Sequence, residues 1–478
     1  LFIFKGIFYI SCMLKKSFIV FILSFCISQE IYTEYLVQDQ DTIDVFSYQL
    51  PESYNELDPH PLLVVFHQWG GNENSTYYTE FDEEANNRGW VFMSPYGGSE
   101  NNYNHQGAQE MVKLEILWMI ENYNIDSNKI YMVGGSMGGA SGMVYSNNHL
   151  NPNEPMVAAT ASGSGILDCE RRAIEMDGNN SMIEWFGGNW DEVPFEYHRN
   201  SAIYFADSTQ SMHYNLQYLP IYLDFGISEP HRTHAEDMYN ILTNYNQNMW
   251  IDTDPTGSHG FSVMDENHTC NWLSQFSLND NPLDVNVKLD EPSRAYWLEA
   301  LNQIESHDFI TINAQKNNSA LDIYDFQNSD SLVLYILDET LYQFSLNSEI
   351  PINKVGLTSN PILSGNSIIE NTEITSMIGT TPSYTIDNNI IWLEHYDLDL
   401  NELPFYGEFI INIEIATSSN GDINQDGDCN IQDIILMISH IIDNQELSDI
   451  EQDIADMNND GTIDIIDIIS VINIIIER

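Results

Sequence analysis

The run from Val133 to Gly139, VGGSMGG, places Ser136 between glycines directly after the apolar segment Lys129–Gly134. G-x-S-x-G between a strand and a helix holds a serine hydroxyl on a sharp, strained turn, where it is free to attack a carbonyl. Glycines are needed there because strand and helix approach each other closely. Such a nucleophile needs a base, and the base needs a carboxylate that fixes its tautomer. In this arrangement both follow the serine along the chain, acid before histidine. His259 stands in the loop DPTGSHGF (Asp254–Phe261), flanked by Gly257 and Gly260. His268 is its rival, farther along a polar stretch, while His231 and His234 read as surface residues of the preceding loop or helix. For the acid, Glu229 lies three residues past Gly226, in the loop after an apolar run; Asp224, two residues before that glycine, and Asp237 are the alternatives. The oxyanion needs N–H donors. His67-Gln68-Trp69-Gly70-Gly71 offers the N–H of Trp69 or Gln68 to pair with that of Met137, and His67, which precedes the serine, reads as a loop-orienting residue.

A second constellation is made of oxygens. Asp422, Asn424, Asp426, Asp428, Asn430 and Asp433 recur 34 residues later as Asp456, Asn458, Asp460, Thr462, Asp464 and Asp467. These are positions 1, 3, 5, 7, 9 and 12 of an EF-hand loop, with Gly427 and Gly461 at the sixth position. The glycine permits the sharp turn, position 7 offers its carbonyl, and the twelfth ligand is Asp where Glu is usual. A merely acidic, solvated tail would not repeat this spacing. Two calcium sites are expected, each leading into an apolar helical run, ILMISHII and IISVINIII.

The elements that must position these residues fall into three textures. Residues 29–275 alternate apolar runs with amphipathic stretches, the order of a doubly wound parallel sheet. Its expected strands are Pro61–His67, Gly89–Ser94, Lys129–Gly134, Met156–Ser162, Leu219–Phe225 and Asn248–Asp254, with a helix-period face over Ala108–Tyr123. Within this domain the segment Leu167–His213 is rich in aromatics (Trp185, Phe186, Trp190, Phe195, Tyr197), which read equally as a pocket wall or as ordinary core. Residues 276–418 carry regularly spaced short β segments and turns, a β-sandwich-like accessory region. Residues 419–478 form a small all-α module around the paired loops.

With 15 Lys and Arg against 72 Asp and Glu, the 478-residue chain has a formal charge of −57. Such a surface repels phosphate backbones and anionic lipid headgroups, which removes nucleic-acid binding from the candidate functions and suits divalent cations. The cysteines are Cys12, Cys26, Cys169, Cys270 and Cys429, with no CxxC pair, so neither a zinc ribbon nor a dithiol redox centre is supported. Cys169 and Cys270 share a domain and could form a disulfide. From Met13 the chain reads MLKKSFIVFILSFCIS, a basic start, an apolar run and small residues, which marks 1–28 as a signal peptide cleaved after Ser28. The uncharged run is shorter than the about 20 residues a membrane span needs. An extracellular or cell-surface location is expected, without a span in the mature form.

Taken together, LLVVFHQWGG, FMSPYG, NIDSNKIYMVGGSMGG, RNSAIYFAD, YLDFG and DPTGSHGF resemble the secreted α/β-hydrolases of the polyhydroxybutyrate depolymerase and feruloyl esterase type, over about residues 60–275. Gln68 stands where that group usually has Gly, and Glu229 where it usually has Asp. The paired loops with Asp at the twelfth position resemble a dockerin module, which implies docking to a cohesin on a scaffold or cell surface. Its tenth and eleventh positions, Ile431 and Gln432, then Ile465 and Ile466, are not the Ser/Thr pairs common in cellulosomal dockerins. The resemblance implies a serine carboxylic-ester hydrolase working through an acyl-enzyme. Feruloyl or acetyl esters of polysaccharide are favoured, a polyester or a peptide is the alternative substrate, and no cofactor is needed for catalysis. A non-catalytic binding protein on a hydrolase scaffold is the competing reading.

Carboxylates crowd each loop in a chain already strongly negative, so calcium binding and folding of residues 421–478 should be one event. EDTA is expected to abolish amide-exchange protection there while turnover of a small soluble ester stays nearly unchanged. Retained protection in EDTA would refute the coupling.

Overall fold

Short apolar runs bounded by turns become the strands of one mixed sheet. In chain order these are β1 (Tyr32–Gln38), β2 (Asp41–Gln49), β3 (His60–Phe66), β4 (Val91–Pro95), β5 (Ile125–Gly135), β6 (Ala159–Gly163), β7 (Ile221–Gly226) and β8 (Met249–Asp254). Their spatial order is β1-β2-β4-β3-β5-β6-β7-β8, with β1 and β2 antiparallel and β3 to β8 parallel. The connections carry α1 (Phe81–Arg88), α2 (Gln106–Asn122), α3 (Met137–Asn148), α4 (Cys169–Glu175), α5 (Met182–Phe186), α6 (Pro194–Arg199), α7 (Arg232–Leu242) and α8 (Glu266–Leu273). This is the α/β-hydrolase fold. The computed structural model describes residues 29–477 except 39, 178–180, 318–319, 338–341, 353, 360–366, 377–382, 388–389, 395–404, 418–420, 422, 425–428, 443–446, 448 and 458–461. The expected leader therefore lies outside the described residues, as do Asp422, Asp426, Asp428, Asn458 and Asp460.

The period of two along a strand sorts side chains to opposite faces. Leu62, Val64 and Met132 join Ile116, Met143 and Met238 on one face, whereas Leu63, Val65 and Val133 join Phe81 and Leu273 on the other. Both faces are covered, so the central strands carry continuous apolar runs. The run expected as Met156–Ser162 enters the sheet only at Ala159, and the antiparallel pair β1 and β2 has no apolar run to announce it.

Beyond the hydrolase domain, the described residues form two six-stranded sheets stacked around one core. Leu289, Ile312 and Ile323 come from one sheet, and Leu298, Leu334 and Leu357 from the other. Leu150 and Met156 of the hydrolase domain belong to that same core. Polar contacts reinforce the junction: Arg199 Nε donates to Asp290 at 2.7 Å, and Lys288 N to Asn215 Oδ1 at 2.8 Å. The accessory region is thus welded to the hydrolase rather than strung after it. The C-terminal module packs α9 (Ile431–Ile441), α10 (Asp449–Ala455) and α11 (Ile465–Glu477) around Ile423, Met437, Leu447, Ile454 and Val471. Cys169 and Cys270 do not pair: both are free, and they are buried in different clusters. Among the described residues no helix is long and apolar enough to cross a membrane.

One strand pair carries an electrostatic cost. Asp224 on β7 is paired in register with Asp252 on β8, and burial, aided by that neighbour, pushes its carboxyl up from 3.8 to about 7. The folded state binds this proton more tightly than the unfolded chain. Its contribution to stability is therefore full below about pH 4 and lost as pH rises through about 7, on the order of 2–4 kcal/mol. Asp224→Asn removes the dependence, so the Tm advantage of the variant should widen from pH 4.5 to pH 8. A pH-independent difference would contradict this assignment.

Candidate active site and calcium loops

Ser136 occupies the turn between β5 and α3 with φ 56° and ψ −118°. A non-glycine residue in that region stores roughly 1–3 kcal/mol of backbone strain. The turn is feasible because Gly134 and Gly138 touch: a Cβ on Gly134 would lie 2.1 Å from Gly138 O, and one on Gly138 2.5 Å from His67 O. Ser136 N donates to Gly163 O at 2.8 Å, which ties the elbow to β6.

The loops after β7 and β8 bring the remaining groups to the same carboxyl edge of the sheet, where such sites belong. Ser136 Oγ donates to His259 Nε2 at 2.7 Å, and His259 Nδ1 donates to Glu229 Oε2 at 2.8 Å. Glu229 is fully buried at its side chain, whereas the His259 side chain is 37% exposed. The histidine thus faces solvent while its carboxylate is sealed behind it. Asp224 instead lies in the sheet opposite Asp252, Asp237 pairs with Arg171 at 2.8 Å, and the His268 ring packs against Tyr222 and Trp250.

The HQWGG segment forms a tight turn. Gly71 N donates to Gln68 O at 2.9 Å, Gly70 N donates to Glu100 O at 2.7 Å, and Gly70 has φ +81°. Those two N–H groups are thereby spent, which keeps Trp69 and Gln68, with Met137, as the proposed oxyanion donors. His67 lies between the carbonyls of Gln68 and Tyr96, at 2.8 and 3.0 Å, and so orients the turn. The Gln68 side chain lies against Gly260, whose φ is +65° and where an added Cβ would sit 1.7 Å from Gln68 Oε1. The glycine after His259 is therefore required both by its backbone conformation and by this contact.

Several supports carry no motif. Asn104 Oδ1 accepts from Ser141 Oγ, its Nδ2 reaches Met137 O at 3.4 Å, and Tyr103 N points at Met137 Sδ, also at 3.4 Å. Tyr103 and Asn104 both have positive φ. Nothing in their local sequence signals this role, because the contact spans more than thirty residues of chain. Of the aromatics expected near the pocket, Phe186 and Tyr197 are core, edge to face at 4.8 Å, and Phe195 packs on Phe309 of the accessory region. His231 and His234 are not surface residues: His234 is fully buried and His231 half-buried. With Glu175 they bring ligand-type atoms within 4.8 Å of one another. They do not fit a metal. Leu167 N donates to His234 Nδ1 at 3.2 Å, so the proton of the neutral ring is on Nε2, and Arg172 Nη1 stands 3.3 Å from Glu175 Oε2.

In the C-terminal module the twelfth-position carboxylates are fully buried and bound to the loop backbone. Asp433 accepts from Asn424 N at 3.1 Å and Asn430 N at 2.8 Å, and Asp467 accepts from Met457 N and Asp464 N, both at 2.8 Å. Ninth-position oxygens of Asn430 and Asp464 cap the first turns of α9 and α11 at 2.8 and 2.7 Å. A buried carboxylate closing an oxygen-lined loop fits a hard divalent cation. Asn424, Asn430, Asp433, Asp456, Thr462, Asp464 and Asp467 are the described members of that donor set.

Residues 420–476 match the model of the Dockerin type I domain family. No curated protein matches the chain in sequence. Among solved structures, the fluorophosphonate-binding serine hydrolase FphF of Staphylococcus aureus is 13% identical, with 51% of this chain and 98% of that chain covered and a TM-score of 0.39. An S-formylglutathione hydrolase from Agrobacterium tumefaciens is 12% identical, with 52% of this chain and 98% of that chain covered and a TM-score of 0.40. A ferulic acid esterase is 15% identical, with 52% and 96% covered and a TM-score of 0.38.

Proposed function

We propose that the chain is an exported serine carboxylic-ester hydrolase, of the depolymerase and feruloyl esterase type, carried to its substrate by a calcium-dependent docking module. The observation that supports the enzyme reading is the continuous relay Ser136–His259–Glu229, at 2.7 and 2.8 Å. Ser136 Oγ attacks the ester carbonyl as its proton passes to His259 Nε2. Glu229 holds Nδ1–H and stabilises the imidazolium, and the oxyanion meets the N–H groups of Met137 and of Trp69 or Gln68. His259 then returns the proton to the departing alcohol, and water releases the acyl group from Ser136 by the same steps in reverse order. No metal takes part in this sequence.

The dockerin match supports tethering to a cohesin-bearing scaffold, outside the cell. Ile431 and Ile435 on α9 and their repeats Ile465 and Ile469 on α11 are exposed, whereas Met437 and Val471 face the module core. A doubled apolar stripe of this kind marks a protein-binding face. Attachment to an insoluble substrate or its scaffold fits feruloyl or acetyl esters of polysaccharide as the target.

A fluorophosphonate probe should label the wild type and not Ser136→Ala. Glu229→Gln should keep the fold while lowering kcat by roughly 10⁴. Unlabelled wild type, or equal labelling of Ser136→Ala, would remove the enzyme reading. Ile435→Asp with Ile469→Asp should abolish retention on an immobilised cohesin in calcium without changing ester turnover, and undiminished retention would exclude this face.

A further inference from the structure

Beside the triad stands a second carboxylate–histidine pair, again with Nδ1 toward the carboxylate. His231 Nδ1 lies 3.1 Å from Glu175 Oε2, and its Nε2 lies 3.3 Å from Arg172 Nη1. A guanidinium can only donate, so Nε2 of His231 is an acceptor and the proton sits on Nδ1, facing Glu175. His259 uses the same tautomer, with Nδ1–H on Glu229 and Nε2 accepting from Ser136. The two imidazole rings meet at 5.7 Å with an interplanar angle of 65°.

The Glu175 end of this pair is anchored from several sides. Its other oxygen faces His234 Nε2 at 3.5 Å and Arg171 Nε at 3.8 Å. Burial works to raise the Glu175 carboxyl, yet the hydrogen bonds and charges of His231 and His234 outweigh it and hold the group well below the usual carboxylate range. His231 is therefore clamped from both ring nitrogens. His259 is not clamped in that way, because its second nitrogen is bound only to the Ser136 hydroxyl, whose proton it takes in the reaction. Once Ser136 has given up its proton, Glu229 is the one triad member still holding the imidazolium, and the His259 side chain is 37% open to water.

We propose that His231 is a positioning residue: clamped by Glu175 and Arg172, its ring forms the wall that stops His259 from swinging away from Ser136 during acyl transfer. Glu175 also balances the charge of Arg172, which would otherwise stand uncompensated against His231. The inference rests on the esterase reading of the Ser136 relay.

The test uses the full chain with p-nitrophenyl acetate. His231→Ala should lower kcat by roughly 10- to 100-fold with KM little changed, because the interaction matters in the transition state rather than in substrate binding. His231→Phe, which keeps a ring wall, should recover most of that loss. Glu175→Gln, combined with His231→Ala, should cost no more than His231→Ala alone if Glu175 acts through His231. In Glu175→Gln by itself, the guanidinium of Arg172 loses its carboxylate partner and disfavours the imidazolium of His259, whereas Arg171 keeps Asp237. The acid limb of kcat/KM should then move to lower pH. The groups facing His259 are Ser136, Glu229 and His231, and those behind His231 are Arg172, Glu175, His234 and, through Arg171, Asp237. Unchanged kcat in His231→Ala, or a raised KM at constant kcat, would overturn the proposal, as would a Phe variant no better than Ala with an unshifted Tm. The final extent of fluorophosphonate labelling separates the two failures. A wild type that does not label sinks the esterase reading, and full labelling with unchanged kcat in His231→Ala sinks only the wall.

Discussion

Ser136 is held at a positive φ because Gly134 and Gly138 close on each other with no space for a side chain between them. Everything else in the hydrolase half is arranged around that contact. Parallel strands deliver Glu229 and His259 to the same edge, the turn at Gln68–Gly71 is oriented by His67, and Gly260 lets the histidine loop fold against Gln68. The strain at the elbow is tolerable because the surrounding sheet is buried on both faces and over-determines the turn.

A chain with a formal charge of −57 must still shield some carboxylates from water, wholly or in part, and it does so in four different ways. Glu229 is neutralised by a histidine, Glu175 by two histidines and two guanidiniums, and Asp433 and Asp467 by backbone N–H groups that face a cation loop. Asp224 has only other carboxylates for charged neighbours on β8 and instead holds its proton up to about pH 7. Burying an unpaired charge costs more than any of these solutions. The same residue type therefore serves as orienting acid, as charge balance, as loop closure and as a neutral polar group, according to what faces it.

Much of this architecture was legible in the residues. The parallel strands followed from apolar runs with helical stretches between them, and the relay partners from chain order and from glycines beside His259. What stayed hidden shares a physical cause: it depends on contacts between distant segments. The antiparallel pair at the amino end of the sheet lacks a continuous apolar run, since much of one side of it meets water. The supports from Tyr103 and Asn104 and the burial of His231 and His234 arise from loops meeting in space, and no local pattern encodes them. The open question of Cys169 and Cys270 is of the same kind, because membership of one domain says nothing of distance, and their helices carry them into separate clusters.

Leu150 and Met156, buried among the strands of the sandwich, set the rules for how this chain can be inherited in pieces. A recombination breakpoint near residue 275 would hand the hydrolase to its descendants with an apolar wound, and would strand the sandwich strands with half a core. The paired-loop module shares no such cluster with the sandwich among the described residues, since its core is drawn from Ile423 to Ile475 alone. Shuffling can exchange the address of this protein, but the catalytic unit that travels runs to the end of the sandwich.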